Sequence, residues 1–309
     1  PYDAPPTTII PPGTTYTWTV QNNTQVFGEQ SGAGSVISGT LLNTSGNTQQ
    51  VFYTVTPITD GCPGPTFTVT IAVIPGVLIP DQNQTICNNT SFTVSPVNAP
   101  PLTIVPFGTS YVWTAIDNPL VTGEASGAGF VLTQTLNSSV LSPTQTVVYQ
   151  VVATAASQCP TDTFWVNVTL NTIGTATIGT DQIVCANGDP AVISFLTPIT
   201  AAGSLSYQWQ ISTDNVTWSS ITGAIGASYN PPPGLMTSSY YRVLIISSLN
   251  GNVCASTSNA ILVTVNTVTS PIISANQTIC SGGDPQQLLM SSPAVASGTI
   301  SYQWQYSTN

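Results

Sequence analysis

Residues 111–114 read Tyr-Val-Trp-Thr, and the nearly identical stretch Tyr-Thr-Trp-Thr occupies residues 16–19, 95 positions earlier. The run Gly-Glu-Ala-Ser-Gly-Ala-Gly at 123–129 likewise follows Gly-Glu-Gln-Ser-Gly-Ala-Gly at 28–34 by 95 positions. A repeat of this length is the size of a small domain, so we expect each copy to fold as one module of a tandem array. Such an array is typical of spacers and displayed surfaces rather than of catalysts.

The repeat continues in a second type of sequence. Ser-Tyr-Gln-Trp-Gln at 206–210 returns at 301–305, and Cys185 returns as Cys280, again 95 positions apart. The period divides the chain into four predicted modules, which are 1–76, 77–171, 172–267 and 268–309. By comparison with the two whole modules, the first lacks its opening and the fourth lacks its end, so we expect the chain to be a segment of a longer protein.

Short segments of alternating apolar and polar residues lie between turns rich in Gly, Pro and Asn. The clearest is Phe67–Val73, and in Thr146–Val151 the alternate side chains Val147, Tyr149 and Val151 share one face. This alternation predicts strands packed into all-β, immunoglobulin-like sandwiches, and no stretch has a sustained helical period. In the second module we predict strands near 91–96, 109–116, 128–135, 145–155 and 163–170, after a short strand that precedes Cys87.

One tryptophan in each module follows a tyrosine by two residues, and we predict that it lies in the core: Trp18, Trp113, Trp209 and Trp304. The side chains expected to face them from the penultimate strand are Tyr53, Tyr149 and Tyr241. Trp165 differs, because Phe164, Val166 and Val168 take the inward positions of its strand. Its ring is therefore predicted to lie on the outer face, where it covers a neighbouring element or contacts sugar.

The charge composition excludes two classes of partner. The 309 residues contain one Lys or Arg, which is Arg242, against 11 acidic residues and no histidine, for a net charge of −10. Nucleic-acid binding and attachment to anionic membranes both need many cations, so neither is expected. No apolar run is long enough to span a bilayer, so direct membrane insertion is not expected either. With 41% hydrophobic residues in alternating patterns, the chain is expected to form packed sheets rather than to be disordered.

The six cysteines, at positions 62, 87, 159, 185, 254 and 280, alternate between the late hairpin of a module and its early segment. Pairing within modules gives Cys87–Cys159 and Cys185–Cys254, with Cys62 and Cys280 paired outside this chain. Pairing across linkers instead gives Cys62–Cys87, Cys159–Cys185 and Cys254–Cys280. We favour the first scheme, because a strand of about ten residues separates each late cysteine from the next module's early one by tens of ångströms. Either scheme implies an oxidising, extracellular compartment.

The linkers 74–80 and 171–175 are short, and they combine apolar residues with Pro or Gly. Proline restricts the backbone, and apolar linker residues can pack on both neighbouring modules. We therefore expect little bending between modules and an array with the form of an extended rod.

No catalytic arrangement is visible in the sequence. Serine and cysteine nucleophiles would lack a histidine or lysine base, phosphate loops are absent, and the acidic residues are scattered singly, so we predict no enzymatic activity and no cofactor. Calcium at module junctions is an alternative hypothesis, since hard cations prefer oxygen ligands. The candidate ligands are Asp81, Asp181, Asn187, Asp189 and Asp284. Asp and Asn in turns more often hydrogen-bond the backbone, which disfavours a metal role.

The motifs Tyr-x-Trp-Thr, Ser-Gly-Ala-Gly, Val-Phe-Tyr-Thr-Val-Thr-Pro at 51–57 and the run 61–70 resemble PKD-like repeats of very long surface proteins of Bacteroidetes. The later motifs, which include Ser-Tyr-Gln-Trp-Gln and Tyr-Tyr-Arg-Val at 240–243, resemble the Ig-like repeats that occur beside them. The resemblance implies an adhesin secreted by the type IX route and attached to the outer membrane, most like the giant gliding-motility adhesins of flavobacteria. No catalytic or ligand-binding residue carries over from this family.

Three functions are compatible with these sequence features. The leading hypothesis is a structural stalk of a long cell-surface adhesin filament for gliding motility and surface attachment. Its partners would be the outer-membrane attachment and motility machinery, and parts outside this chain would bind an external surface or polysaccharide. In the second hypothesis the repeats themselves bind carbohydrate through exposed rings such as Trp165 and Trp218. In the third the array is a spacer of a secreted polysaccharide-degrading enzyme.

Overall fold

The computed structural model describes residues 9–141, 143–156 and 161–308. Throughout this part of the chain the regular elements are β-strands, which confirms the predicted all-β class of tandem Ig-like and PKD-like sandwiches. No helix there has the length and apolar character needed to cross a membrane. The chain separates into two compact units, Pro1–Leu170 and Asn171–Asn309.

The first module contains seven strands, which are β1 (Thr15–Val20), β2 (Val26–Phe27), β3 (Gly32–Gly34), β4 (Leu42–Asn43), β5 (Gln49–Thr59), β6 (Cys62–Pro63) and β7 (Phe67–Val73). One sheet has the order β3-β1-β5-β6, with β7 also paired to β5, and β2 pairs with β4. Tyr53 is buried as predicted, whereas Trp18 is only half-buried. The described part of this module has no strands like β8 and β9 of the second module to cover that ring.

The second module is a complete sandwich with eight strands. They are β8 (Gln82–Cys87), β9 (Thr90–Val94), β10 (Ser110–Ile116), β11 (Val121–Thr122), β12 (Gly127–Gly129), β13 (Leu132–Ser138), β14 (Gln145–Thr154) and β15 (Asp162–Asn171). A five-stranded sheet of order β12-β10-β14-β15-β8 faces a three-stranded sheet of order β11-β13-β9. The predicted strand near 128–135 is two strands in the structure, because the chain leaves the first sheet after Gly129 and enters the second at Leu132.

The core of the second module lies between these two sheets, as the alternation predicts. Val147, Tyr149 and Val151 of β14 are at most 1% exposed. Trp113 of β10 is buried, and its indole N–H donates to the carbonyl of Ala125 at 3.1 Å. The Tyr149 hydroxyl donates to Gln134 Oε1 at 2.7 Å, so both polar atoms of these large side chains are satisfied. Burial of each of these large side chains stabilises the fold by about 2–3 kcal/mol.

The third module is built around a second tryptophan-centred core. Its strands are β16 (Gln182–Cys185), β17 (Ile193–Ser194), β18 (Ser204–Ser212), β19 (Ser219–Ser220), β20 (Ser228–Tyr229), β21 (Ser239–Leu249), β22 (Asn252–Thr257) and β23 (Ile261–Asn266). The main sheet has the order β16-β23-β21-β18-β19, with β22 also paired to β21, and β17 pairs with β20. Trp209 and Tyr241 are fully buried, as predicted, and the Trp209 ring stacks on Tyr229 at 5.7 Å between centroids.

Two late hairpins close with the same turn chemistry. Asp60 and Gly61 connect β5 to β6 with φ values of 51° and 78°, and Asn250 and Gly251 connect β21 to β22 with 49° and 78°. Positive φ at both central residues defines a two-residue hairpin turn whose twist matches that of the flanking strands. This turn favours the sequences Asp-Gly and Asn-Gly. The sequence thus fixes the register of both hairpins locally.

The described part of the fourth module has two strands, β24 (Ile272–Ile273) and β25 (Met290–Ser292). The prediction that Trp304 lies in a core is wrong for this structure, because its side chain is 54% exposed. Trp209 in the third module is covered by β21 and by Tyr229. The described residues of the fourth module contain no equivalent of β21, so nothing there closes over Trp304.

We expect Gly127→Ala to destabilise the second module by about 1–3 kcal/mol, because overpacking a filled core has this cost. A Cβ at Gly127 would lie 2.8 Å from the Trp113 ring. Hydrogen exchange of second-module peptides in the intact chain, read by mass spectrometry, would measure the loss.

Gly179→Ala is the matched control, because a Cβ there meets nothing within 4 Å and the backbone is not in the positive-φ region. Equal protection of second-module peptides in the Gly127→Ala and parent chains would contradict the role given to this contact.

Candidate binding surfaces

Two of the five predicted calcium ligands, Asp81 and Asp181, hold backbone amides. Asp81 Oδ1 accepts the N–H of Trp165 at 2.8 Å, and Asp181 Oδ1 accepts the N–H of Leu262 at 2.8 Å. In the second and third modules, this carboxylate bonds the segment that begins the sandwich to the last strand of the same module. Among the described residues, no group of three or more His, Cys, Asp or Glu side chains gathers where it could hold a metal ion. The calcium hypothesis therefore has no assembled site in this part of the chain.

The cysteines correct the predicted pairing. Cys185 is a free and exposed thiol, whereas Cys254 is disulfide-bonded, so the predicted Cys185–Cys254 disulfide is wrong. Cys185 pairs in register with Asn266, at the end of β23, while Cys254 pairs with Ser247 of β21. The two cysteines are therefore at opposite ends of the sheet, about 25 Å or more apart, far beyond the 6 Å or so between the Cα atoms of a disulfide.

The remaining cysteines are consistent with only parts of the predicted scheme. Cys87 is disulfide-bonded, but its predicted partner Cys159 lies outside the described residues. The predicted Cys87–Cys159 disulfide therefore stays a prediction. Cys62 and Cys280 are free and exposed here, and their pairing with cysteines outside this chain stays a prediction.

On the intact, non-reduced chain we expect iodoacetamide to modify Cys62, Cys185 and Cys280, because these thiols are free and exposed. Cys87 and Cys254 should react only after reduction. Peptide mapping by mass spectrometry measures both sets, and a linked peptide that joins Cys185 to Cys254 would restore the intramodular scheme.

The prediction that Trp165 lies on an outer face is confirmed. Its side chain is 37% exposed, while its neighbours Phe164, Val166 and Val168 are at most 1% exposed. The backbone N–H of Trp165 is fixed by Asp81, as described above, and Asn167 Nδ2 donates to Asn83 Oδ1 at 2.9 Å. These two bonds attach the edge strand β8 to β15 beside the ring.

Trp165 belongs to the outer surface of the sheet formed by β10, β14 and β15, which we call the Trp165 face. Its central row contains Thr114, Gln150 and Trp165, which pair in register across the three strands. The outward residues of the three strands are Val112, Thr114, Ile116, Thr146, Val148, Gln150, Val152, Thr163, Trp165, Asn167 and Thr169. None of these side chains is charged, and Val112 and Ile116 are about half exposed.

Trp218, the second ring predicted to bind sugar, has a different environment. The guanidinium carbon of Arg242 lies 4.2 Å from the centroid of the Trp218 ring, and Arg242 Nε donates to Gln210 Oε1 at 2.7 Å. A guanidinium so placed is attracted to the ring electrostatically, by about 0.5–1 kcal/mol at an exposed site. The only cation of the chain therefore covers one face of Trp218 that a ligand would need.

The turn that carries Trp218 is held by an ionised carboxylate. Asp214 Oδ1 accepts the N–H of Thr217 at 2.7 Å, the N–H of Val216 at 2.8 Å and the hydroxyl of Ser212 at 2.8 Å. These donors, Thr217 first, hold the pKa of the Asp214 carboxyl well below its usual range. Asp214 thus shapes the turn before Trp218 and is not used to pair with Arg242.

Comparison with known proteins identifies the modules. The family model of the PKD-like domain matches residues 3–77 and 84–174, and a domain of unknown function matches 174–267. No curated protein matches the chain.

Among solved structures, one similar chain contains the three N-terminal domains of the bacteriophage RB49 highly immunogenic outer capsid protein. It is 12% identical, the match covers 86% of this chain and 91% of that chain, and the TM-score is 0.40. Extracellular domains 3–5 of Drosophila OTK are 9% identical, with 82% and 85% covered and a TM-score of 0.33. The FN1–FN3 domains of chicken CNTN1 are 10% identical, with 81% and 89% covered and a TM-score of 0.32.

Proposed function

The chain belongs to the PKD-like domain family, and on that premise we propose that it is a structural stalk segment of a long bacterial cell-surface adhesin filament that serves gliding motility and surface attachment. The modules would hold a binding region elsewhere in the protein away from the envelope and carry tension when the cell moves. Outer-membrane attachment, the motility machinery and an external surface or polysaccharide are the proposed partners. The resemblance to surface proteins of Bacteroidetes supports the gliding and type IX secretion parts of this proposal.

The observation that carries the stalk proposal is that the chain is anchored where it enters each complete module. Val77 and Ile79 of the first linker are buried in the core of the second module. Asn171, at the entrance to the third module, is 1% exposed, and its Nδ2 donates to the Ser247 carbonyl at 2.9 Å. Since these linker residues are part of a packed module, little slack chain is left to extend under load.

The strand arrangement of the third module also suits a load-bearing element. The chain enters through β16 and leaves after β23, and these two strands pair side by side in parallel. Tension on the two ends pulls the strands in opposite directions along their axes, so the ladder hydrogen bonds are loaded together in shear. Asp181 and Asn259 add side-chain bonds across the same strands, to the N–H groups of Leu262 and Ile178, both at 2.8 Å.

The presence of disulfide-bonded cysteines supports an extracellular location, because disulfides persist in oxidising compartments. We propose no enzymatic role for these modules.

Electron microscopy of the native full-length particle tests the stalk proposal directly. An extended, beaded filament with about one bead for each repeat is the expected outcome, because each module has its own core. A compact globule or a closed oligomer would contradict the proposal and make the module surfaces the primary candidates for ligand binding.

Asp181→Ala should weaken the third module under load. Loss of a charge-assisted hydrogen bond to a backbone amide costs about 1–2 kcal/mol, so we expect the unfolding rate at constant force to rise about 5–30-fold. Single-molecule force spectroscopy of the intact chain measures this rate. Asp189→Ala, at an exposed acidic residue of the same module, is the control. An equal effect of both substitutions would contradict the role given to the Asp181 hydrogen bond.

A further inference from the structure

We propose that the Trp165 face of the second module is a binding site for a neutral polysaccharide chain. This inference goes beyond the stalk function, since it assigns ligand binding to a module that would otherwise only transmit load. It depends on the side chains of one sheet face within the second module and is independent of how the modules are arranged.

The chemistry of the central row matches a pyranose chain. A sugar ring has apolar C–H faces, which pack on an aromatic ring, and hydroxyl groups around its edge, which exchange hydrogen bonds with amides and hydroxyls. Trp165 supplies a partly exposed indole, Gln150 supplies an exposed amide with both donors and an acceptor, and Thr114 supplies an exposed hydroxyl. All three lie in one registered row across β15, β14 and β10.

The polar groups of this row are available to a ligand. Within the described part of the chain, the Gln150 amide and the Thr114 hydroxyl hydrogen-bond no other residue. Asn167, one step along β15, is by contrast already joined to Asn83 and so is held in place. Adjacent strands lie about 4.8 Å apart, so the row spans roughly 10 Å between its outer Cα atoms and can meet two or three consecutive sugar rings.

The absence of charge on the outward positions of β10, β14 and β15 selects a neutral ligand. An acidic polysaccharide would find no cation on these three strands, and the net charge of −10 would repel it. The Asp81 carboxylate at the edge of the face accepts the Trp165 backbone N–H. A neutral, hydroxyl-rich chain has no charge to be repelled, so its binding to such a surface has little electrostatic cost.

A second copy of the protein is a less suitable occupant. The outward residues of β15 from Thr163 to Thr169 extend about 20 Å, so the face offers roughly 300 Å². A stable protein interface buries about 800 Å² on each partner. Unsatisfied amide and hydroxyl groups in the middle of the face would also have to be matched by the second copy.

The first module supplies an internal comparison. At the positions that pair like Gln150 and Trp165, it has Thr54 and Thr68. This row has no aromatic ring and no amide, although Phe52, two residues before Thr54 on the same face, is 37% exposed. The first module thus differs from the second in the registered row, and not in whether the face carries an exposed ring. Trp218 of the third module is the other exposed-ring candidate, but Arg242 covers one of its faces.

The test is affinity electrophoresis of the intact 309-residue chain in native gels that contain a soluble β-glucan, a xylan, a mannan or an alginate. We expect retardation by at least one of the three neutral polysaccharides and none by the acidic alginate. Trp165→Ala should weaken the retardation constant at least about tenfold, which corresponds to about 1.4 kcal/mol, and Gln150→Ala should weaken it severalfold.

Two variants control the experiment. Trp218→Ala removes an aromatic ring of the same kind from the third module and should leave retardation unchanged. Trp165→Phe keeps an aromatic face at the site and should retain most of the binding. Hydrogen exchange of β14 and β15 peptides reports whether Trp165→Ala remains folded.

Three outcomes would overturn the proposal: no retardation in any neutral polysaccharide, retardation that Trp165→Ala leaves unchanged, or retardation only by alginate. Sedimentation of the chain without polysaccharide adds a fourth. A dimer that dissociates on Trp165→Ala would make the face a protein interface instead of a glycan site.

Discussion

The structure depends on one contact that recurs in three modules, a tryptophan whose indole N–H donates to a backbone carbonyl, and the ring is buried in the second and third modules. Trp18, Trp113 and Trp209 donate to the carbonyls of Gln30, Ala125 and Gly226 at 3.1, 3.1 and 2.9 Å. A buried indole needs a partner for its single donor, and each bond also draws the acceptor segment against the ring. This contact also explains why residues 32 and 127 are glycines, because a Cβ at Gly32 or Gly127 would lie 2.8 Å from the tryptophan ring. The Ser-Gly-Ala-Gly motif of the repeat is thus explained by packing and needs no ligand.

Much of the fold could be predicted from periodicity, because a strand in a sandwich shows its two faces as alternate residues. Phe164, Val166 and Val168 fix the phase of β15, and that phase alone places Trp165 outside. What periodicity cannot show is which strands are neighbours. The first strand β16 pairs in parallel with the last strand β23, and this placement puts Cys185 and Cys254 at opposite ends of the module. The predicted Cys185–Cys254 pair is wrong for that reason, because loop length and strand length do not reveal at which end of the sheet a strand finishes.

The acidic residues illustrate the same limit. In sequence, Asp81 and Asp181 are oxygen ligands near linkers, which is compatible with calcium. In the structure, each accepts an N–H from the last strand of its module. Asp162 and Asn259 provide related bonds to Ile79 and Ile178. A segment that enters beside an existing strand leaves amides without ladder partners at its start, and a short carboxylate or amide side chain satisfies them without a metal. The roles become visible only when the order of strands is known.

The outer faces of the sheets differ in chemistry between modules that share one scaffold. Outward residues contribute little to the core, so their substitution changes stability far less than substitution at Trp113 or Tyr149 would. Thr54 and Thr68 in the first module and Gln150 and Trp165 in the second occupy the same pairing positions on nearly the same framework. A change at two such positions places an aromatic ring and a free amide in a row that has only hydroxyl groups in the first module. In a tandem array the packing contacts are inside each sandwich, whereas aromatic and polar groups can be placed on its surface, so the proposed mechanical and binding roles are physically separable within the same chain.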